Sequence, residues 1–425
     1  MLLIKNGRVI DPARKKERNA DIVVKDGKIE KIYAEGTLPA KAEAAANQVL
    51  DAKGLVVAPG LVDVHVHCRD PGLTYKEDIH TGAAAAAKGG FTTVVCMANT
   101  KPIVDNEETL RYVLEEGKKT GIHVLSCAAI SKGFEGKERT DMEGLLKAGA
   151  AGFTDDSIPL MDGPFVKEAM EEAARLDTVL SFHEEDKTFI KQNGINHGKV
   201  SDQLGIYGSP ALAEDSLVAR DCMIALATGA KIDIQHISSG VAVDYVKEAK
   251  EKGANVYAEA SPHHFTLTEE AVLKYGTLAR MNPPLRTEED RQRIIKGLQE
   301  GTIEIIATDH APHSKEEKDK PLDQAPSGIT GIETSLALGV TELVEKGYLS
   351  MMQLLEKMTN NPAKLYNMEQ GRLQEGKPAD VVLFDPEEEW EVKEYKSKAT
   401  NSPFTGWKLK GKVKYTICDG KIIEL

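Results

Sequence analysis

The sequence predicts an α/β fold: a (β/α)8 TIM barrel with a small β-sandwich domain formed from both chain termini. Three observations lead there. Eight apolar, strand-like runs lie near residues 58–66, 92–97, 122–128, 150–154, 179–183, 231–236, 254–259 and 303–308, with helical stretches between them. Alternation of this length implies parallel strands joined by right-handed crossovers, and eight of them close a barrel. Both ends of the chain instead read as short strands and hairpin turns. Finally, 425 residues leave room for a barrel of about 250 residues or more and an accessory domain.

Taken in order, the first fifty residues hold two hairpin signals. Asn6-Gly7 lies within Leu3–Ile10, and Asp26-Gly27 within Ile22–Ile29. Helical stretches then separate the barrel runs, at Lys76–Lys88, Glu107–Lys119, Pro164–Leu176, Ala211–Thr228 and Val241–Lys252. Strand-like sequence returns at Ala379–Asp385 and Val413–Ile423. Chain termini commonly lie close together, so residues 1–57 and 372–425 are expected to form one composite β domain around a barrel of residues 58–371.

Composition narrows the function. Hydrophobic residues make up 41% and charged residues 28% of the chain, the values of an ordinary soluble globular protein. A net charge of −13 argues against nucleic acid and against an anionic membrane surface. The expected partner is a small molecule, and an anionic one would need local positive groups. No apolar run approaches the ~20 residues of a membrane span. The N-terminus lacks the apolar core of a signal peptide. Five scattered cysteines with no CxxC suggest reduced thiols and a cytoplasmic setting.

In such a barrel the active site sits at the C-terminal ends of the strands, and the polar residues fall there repeatedly. His65 and His67 end the first run, two residues apart, so strand alternation points both imidazoles to one side. Arg69 follows one alternation later, offering a fork for a carboxylate. Asp155-Asp156 ends the fourth run, His183 the fifth, His236 the sixth and Asp309 the eighth. Any one of these could be a strand-end cap; four histidines and two aspartates at one mouth are not explained that way. The ligand types suit Zn2+, with Mn2+ or Co2+ as substitutes. Six ligands are too many for one tetrahedral zinc with an open position, so two metals bridged by a carboxylate fit better. The implied chemistry is metal-assisted hydrolysis. Spacing alone does not separate Asp155 from Asp156.

Two motifs carry a resemblance to a known family: Asp63-Val64-His65-Val66-His67-Cys68-Arg69-Asp70-Pro71-Gly72, and the run from Ala307 to Lys318 that opens Ala307-Thr308-Asp309-His310-Ala311-Pro312-His313. With Met97–Thr100, Phe153–Asp156, Met281–Arg286 and Gly328–Glu333, they make the chain resemble the dihydroorotases of the bacterial long-chain type, in the amidohydrolase superfamily. The resemblance spans nearly the whole chain. It implies reversible, zinc-dependent hydrolysis of L-dihydroorotate to N-carbamoyl-L-aspartate in pyrimidine biosynthesis. One zinc would be held by His65, His67 and Asp309 and a second by His183 and His236, with Asp156 bridging them. Asp309 would act as the catalytic base. Arg69, Asn99 and His313 would hold the substrate carboxylate and ring, and Asn282, Ser327 and Gly328 would line the pocket. A homodimer, and association with aspartate transcarbamoylase, are further family expectations.

Two rival readings compete with this one. Hydantoinases and allantoinases share the first motif loosely, but hydantoinases, dihydropyrimidinases and many dihydroorotases bridge their metals with a carboxylated lysine at the end of the fourth strand. Residues 148–166 contain no lysine, which favours the aspartate-bridged dihydroorotases and counts against hydantoinase. A non-catalytic barrel serving as a scaffold for the transcarbamoylase is opposed by the complete ligand set. The charged segment from His310 to Gly331, with His313 and Gly328 near its ends, suggests a lid over the substrate.

Overall fold

The computed structural model describes all 425 residues. Eight parallel barrel strands run in chain order: β1 Leu61–Val66, β2 Phe91–Cys96, β3 His123–Ser126, β4 Phe153–Thr154, β5 Val179–Phe182, β6 Lys231–Ile234, β7 Val256–Ala260 and β8 Ile305–Ile306. β1 to β3 pair as one sheet and β4 to β8 as another. Single bridges complete the ring, Ala128 with Phe153 at one seam and Val66 with His310 at the other. Helices return the chain between strands, and their starts are fixed by side chains written in the sequence. Asp78 accepts the Thr81 N–H at 2.8 Å at the head of Ile79–Lys88, and Asp162 accepts the Phe165 N–H at 3.0 Å at the head of Gly163–Leu176.

Inside the ring, Val62, Val64, Val95, Ile305 and Ala307 pack with Leu365 and Tyr366, while Val66 joins the larger core that also holds the helices. The inward-facing phase of β1 therefore changes along its length. A register shift against β2 between Asp63 and Val66 moves it from the even positions to His65 and His67. A bulge that re-aims side chains next to a site is a recurrent device.

The run expected as one strand from residue 58 is in fact two. Val56–Pro59 pairs parallel with Leu2–Asp11 and antiparallel with Val381–Glu391, stitching the two chain ends into one sheet. The expected boundary between 57 and 58 falls inside this strand. Eight strands from the two termini are hydrogen-bonded into a single sheet, not the two separately bonded sheets of a simple sandwich. Leu2–Asp11 makes this possible by lending one edge to Gln48–Asp51 and then to Val56–Pro59. Ile4, Ile22, Leu50, Val381 and Ile417 belong to this region's own core.

Between the long strands Val381–Glu391 and Lys408–Cys418, the C-terminal segment leaves its sheet and crosses to the barrel. There Glu333 accepts the backbone N–H groups of Lys396 and Ser397 at 3.0 and 3.1 Å, and Glu77 accepts the Lys398 N–H at 3.2 Å.

Gly60 is the one residue between the terminal sheet and β1, and it has no room for a side chain. A Cβ there would lie 2.1 Å from Thr92 Oγ1 and 2.4 Å from Thr92 Cγ2, and Thr92 is fully buried. Gly60→Ala should therefore destabilise the protein by about 1–3 kcal/mol, with partial recovery in Gly60→Ala/Thr92→Ala. Denaturant midpoints measure both; an unchanged midpoint in the single variant would show that the junction is not tightly packed.

Candidate metal centre and substrate cavity

A cavity of about 390 Å³ opens at the C-terminal ends of the barrel strands. His67, Arg69, Asp156, His183, His236, Asn282, Asp309, Ser327 and Gly328 all line it. His65 lies beneath, fully buried. Strand ends and turns deliver these side chains, and several do so in an uncommon backbone conformation. Arg69, Ser157, His236 and Asp309 have φ of 58°, 72°, 36° and 47°. Non-glycine residues in this region cost of order 1–3 kcal/mol each, and such strain gathers at functional sites.

Asp156 is the hub. Its Oδ1 lies 3.6 Å from His65 Nε2 and 3.7 Å from both His183 Nδ1 and His236 Nε2. Its Oδ2 lies 3.4 Å from His67 Nε2. One oxygen thus faces the His183–His236 side and the other His67. Asp309 Oδ1 stands 3.0 Å from His67 Nε2 and 3.6 Å from His65 Nε2. Against the cost of burial, the surrounding imidazoles hold Asp156 well below the usual carboxylate range, and Asp309 is held down in the same way. Burial is likewise outweighed at His65, where Glu259 and Asp156 raise the imidazole well above its ordinary value.

Outer partners fix which nitrogen of three of the rings faces inward. His65 Nδ1 donates to Glu259 Oε2 at 2.9 Å, leaving the Nε2 lone pair toward the centre. His67 Nδ1 donates to Asn99 Oδ1 at 2.9 Å. Asn99 is itself oriented, because its amide donates to Ser157 Oγ at 3.0 Å. His183 Nε2 donates to Glu185 Oε2 at 3.1 Å, so its Nδ1 points inward and meets His236 Nε2 at 3.0 Å. The inward nitrogens therefore face one another and two carboxylates around a common centre. His65 Nε2 and Asp156 Oδ1 are buried with no hydrogen-bond partner. Such a cluster needs positive charge at its centre, from bound cations or from protonated imidazoles. His65, His67 and Asp309 could hold one metal ion, and His65, Asp156 and His236 form a second group with ligand atoms within 4.8 Å of one another. These are nitrogen and carboxylate ligands of the kind zinc takes.

The structure separates the two aspartates that spacing could not. Asp155 turns away from the cavity and accepts the Ile130 and Ser131 N–H groups at 2.7 and 3.1 Å. It shapes the loop after β3, and Asp156 alone faces the histidines. Arg69 lies on the cavity wall, its Nε donating to Pro312 O at 3.2 Å. His313 Nε2 donates to Ser327 O at 2.8 Å and its Nδ1 accepts from Lys76 Nζ at 3.3 Å, so both ring nitrogens already have protein partners. Asn282 Nδ2 lies 3.3 Å from His183 Nε2.

Sequence reasoning missed Glu259, Glu185 and Arg280. Glu259 had a signal, as the only charged residue of the apolar strand Val256–Ala260. Arg280 had none; it lines the cavity and donates to the carbonyls of Leu322 and Asn193. His263 and His264 are buried beside the site, and both are pushed down by burial, His263 to about 4.

Comparison with known proteins agrees with this geometry. A family model described as dihydro-orotase-like matches residues 54–241, and one described as amidohydrolase family matches residues 327–424. The chain is 63% identical over 423 residues to a dihydroorotase of Clostridioides difficile, covering 100% of this chain and 99% of that one. It is 51% identical over 425 residues to a dihydroorotase of Clostridium acetobutylicum, again covering 100% and 99%. Among solved structures, the L-hydantoinase (dihydropyrimidinase) of Arthrobacter aurescens superposes with a TM-score of 0.88 at 26% identity, over 99% of this chain and 95% of that one. The D-hydantoinase (dihydropyrimidinase) of a Thermus species gives 0.84 at 25% identity, over 99% and 95%. The shared barrel, the full-length relatives and the carboxylate-bridged histidine cluster converge: the chain belongs to the dihydroorotase family, within the amidohydrolase superfamily.

Proposed function

We propose that this protein is a zinc-dependent dihydroorotase that opens and closes the ring of L-dihydroorotate, with N-carbamoyl-L-aspartate as the open form. The observation that carries the reading is one cavity in which Asp156 and Asp309 meet four inward-turned imidazoles while Arg69 stands on the wall. His65, His67 and Asp309 would hold one zinc, His183 and His236 the other, and Asp156 both. In this reading the barrel expected over 58–371 carries the chemistry, framed by segments 1–57 and 372–425.

When bound, a metal pair polarises a carbonyl and acidifies a water toward neutrality. The protein supplies the rest. Asp309 is ionised at neutral pH and sits at the ring of ligands, where it takes the water proton and returns it to the departing ring nitrogen. Arg69 supplies the fork that a ring carboxylate needs in a chain of net charge −13. Asn99 holds His67 in the correct tautomer, and Asn282 and the Ser327–Gly328 backbone complete the wall.

Three outcomes test this reading. Chelation should abolish ring opening, and readdition should restore it as zinc approaches two per chain. Asp309→Asn should retain metal yet lose about 10²–10⁴-fold in turnover, the usual worth of a positioned acid–base group. Near-normal turnover with metal bound would assign the proton transfer elsewhere. Arg69→Lys should raise KM about tenfold or more, because a point charge replaces a bidentate fork; an unchanged KM would remove Arg69 from carboxylate recognition.

His313, with the buried His263 and His264, contributes to the pH dependence of stability. Burial, and then the cations of Arg69, Lys76 and Lys318, push its imidazole down to about 2 from an ordinary 6.5. As pH falls below 6.5, the unfolded chain binds a proton that the folded chain refuses, so stability drops. One such group contributes up to about 1.4 kcal/mol per pH unit. His313→Gln should flatten the fall between pH 6 and pH 4, read from denaturant midpoints at each pH; parallel curves would show that His313 is not among the responsible groups.

A further inference from the structure

The loop from Ala311 to Thr330 carries two residues that line the substrate cavity, Ser327 and Gly328, and also His313, whose Nε2 lies 3.5 Å from Arg69 Nη2. Its two ends come together tightly. A Cβ at Gly328 would lie 2.7 Å from Ala311 Cβ and 3.2 Å from His313 Nε2, and Gly328 has a φ of +120° that L side chains rarely adopt. The ends bond directly, Ala311 N–H to Ile329 O and His313 Nε2 to Ser327 O, each at 2.8 Å, and are tied further by a residue far away in sequence. Asn401 lies on the C-terminal segment that crosses from the terminal sheet to the barrel. Its Oδ1 accepts the His313 N–H at 3.1 Å, and its Nδ2 donates to Ala311 O at 3.2 Å and Gly328 O at 3.1 Å. Its backbone carbonyl accepts the Thr330 N–H at 3.0 Å.

Every one of these side-chain hydrogen bonds goes to the loop, and none to Asn401's own segment. Both amide protons are engaged, so the carboxamide is specified as an amide and cannot be flipped without opposing two carbonyls to an oxygen. Lys318 Nζ adds a clasp from within the loop, to Pro326 O at 2.8 Å and Gly328 O at 3.1 Å. The crossing segment is held in place by Glu77 and Glu333, and by Phe404, which is buried against Trp407.

We propose that Asn401, outside the barrel, is a positioning residue for substrate recognition: it ties both ends of the 311–330 loop so that His313 and the Ser327–Gly328 backbone stand opposite Arg69. This rests on the dihydroorotase reading of the cavity, since the wall it builds is the one assigned to the substrate ring and carboxylate. Asn401 touches no metal ligand and does not itself line the cavity; it reaches the wall only through Ala311 and Gly328, so its effect belongs to binding and not to the chemical step.

Asn401→Asp isolates the effect. The variant keeps the acceptor for the His313 N–H but sets a carboxylate oxygen against the carbonyls of Ala311 and Gly328. KM for L-dihydroorotate should rise about tenfold while kcat stays within about threefold, the pattern of lost ground-state binding. Metal content should stay at the wild-type value, and limited proteolysis should cut within residues 311–330 faster than in the wild type. Unchanged KM and unchanged loop cleavage would overturn the proposal, as would loss of metal together with kcat, which marks a merely structural role. Asn401→Ser, which removes the same contacts without adding charge, carries the same expectations if the aspartate variant does not fold. Should the wild type fail to open L-dihydroorotate, the functional reading falls, and loop cleavage in the two variants decides on Asn401 by itself.

Discussion

A single buried carboxylate, Asp156, organises the mouth of this barrel. Four imidazoles surround it, and three of them, His65, His67 and His183, are turned by an outer partner so that the other ring nitrogen points inward. Taking such groups out of water is costly unless opposite charge is supplied nearby. The second layer bears part of that cost, because Glu259, Glu185 and Asn99 each accept the outward N–H of one ring. They thereby settle the tautomers that chelation requires. The rest of the architecture keeps this arrangement rigid: the bulge in β1 brings His65 and His67 into phase, and left-handed backbone at His236 and Asp309 aims the remaining ligands.

The chain termini contribute more than an accessory sheet. Val56–Pro59 bonds the N-terminal strands to Val381–Glu391, so the first barrel strand starts from a fixed platform only one residue away. From the same sheet, the C-terminal segment crosses to the barrel and reaches the loop at the cavity rim. Barrel and terminal sheet are thus coupled at both faces: at the entry to β1, and over the cavity. The expected lid is therefore a clasped loop whose ends are fixed by Asn401 and whose middle is braced by Lys318.

Much of this was legible in the sequence, and the gaps have physical causes. The HxH pair, the aspartates and the strand-end histidines were legible because the barrel topology fixes which end of each strand carries chemistry. The stretches expected as helices begin within about three residues of the observed helices, although their Asp and Asn caps do not enter that expectation. The division at Gly60 was missed although Pro59-Gly60 is a turn signal, because Val56 to Val62 is otherwise unbroken apolar sequence and periodicity does not show where one strand hands over to another. Asp155 and Asp156 look alike on paper; only the loop after β3, which needs Asp155 for its own backbone, distinguishes them. Glu259 could have been read as a lone charge in a buried strand. Asn401 could not, since its partners lie 73 and 88–90 residues away and nothing local marks it.

The central claim is that the metal centre and Arg69 together select a cyclic amide bearing a carboxylate. The most direct measurement compares ring opening of L-dihydroorotate, dihydrouracil and hydantoin by the zinc-replete protein under one set of conditions. The account predicts turnover of L-dihydroorotate with little or none of the two uncharged rings. Preference for dihydrouracil or hydantoin would contradict it, moving the activity toward that of the hydantoinases whose fold the chain shares.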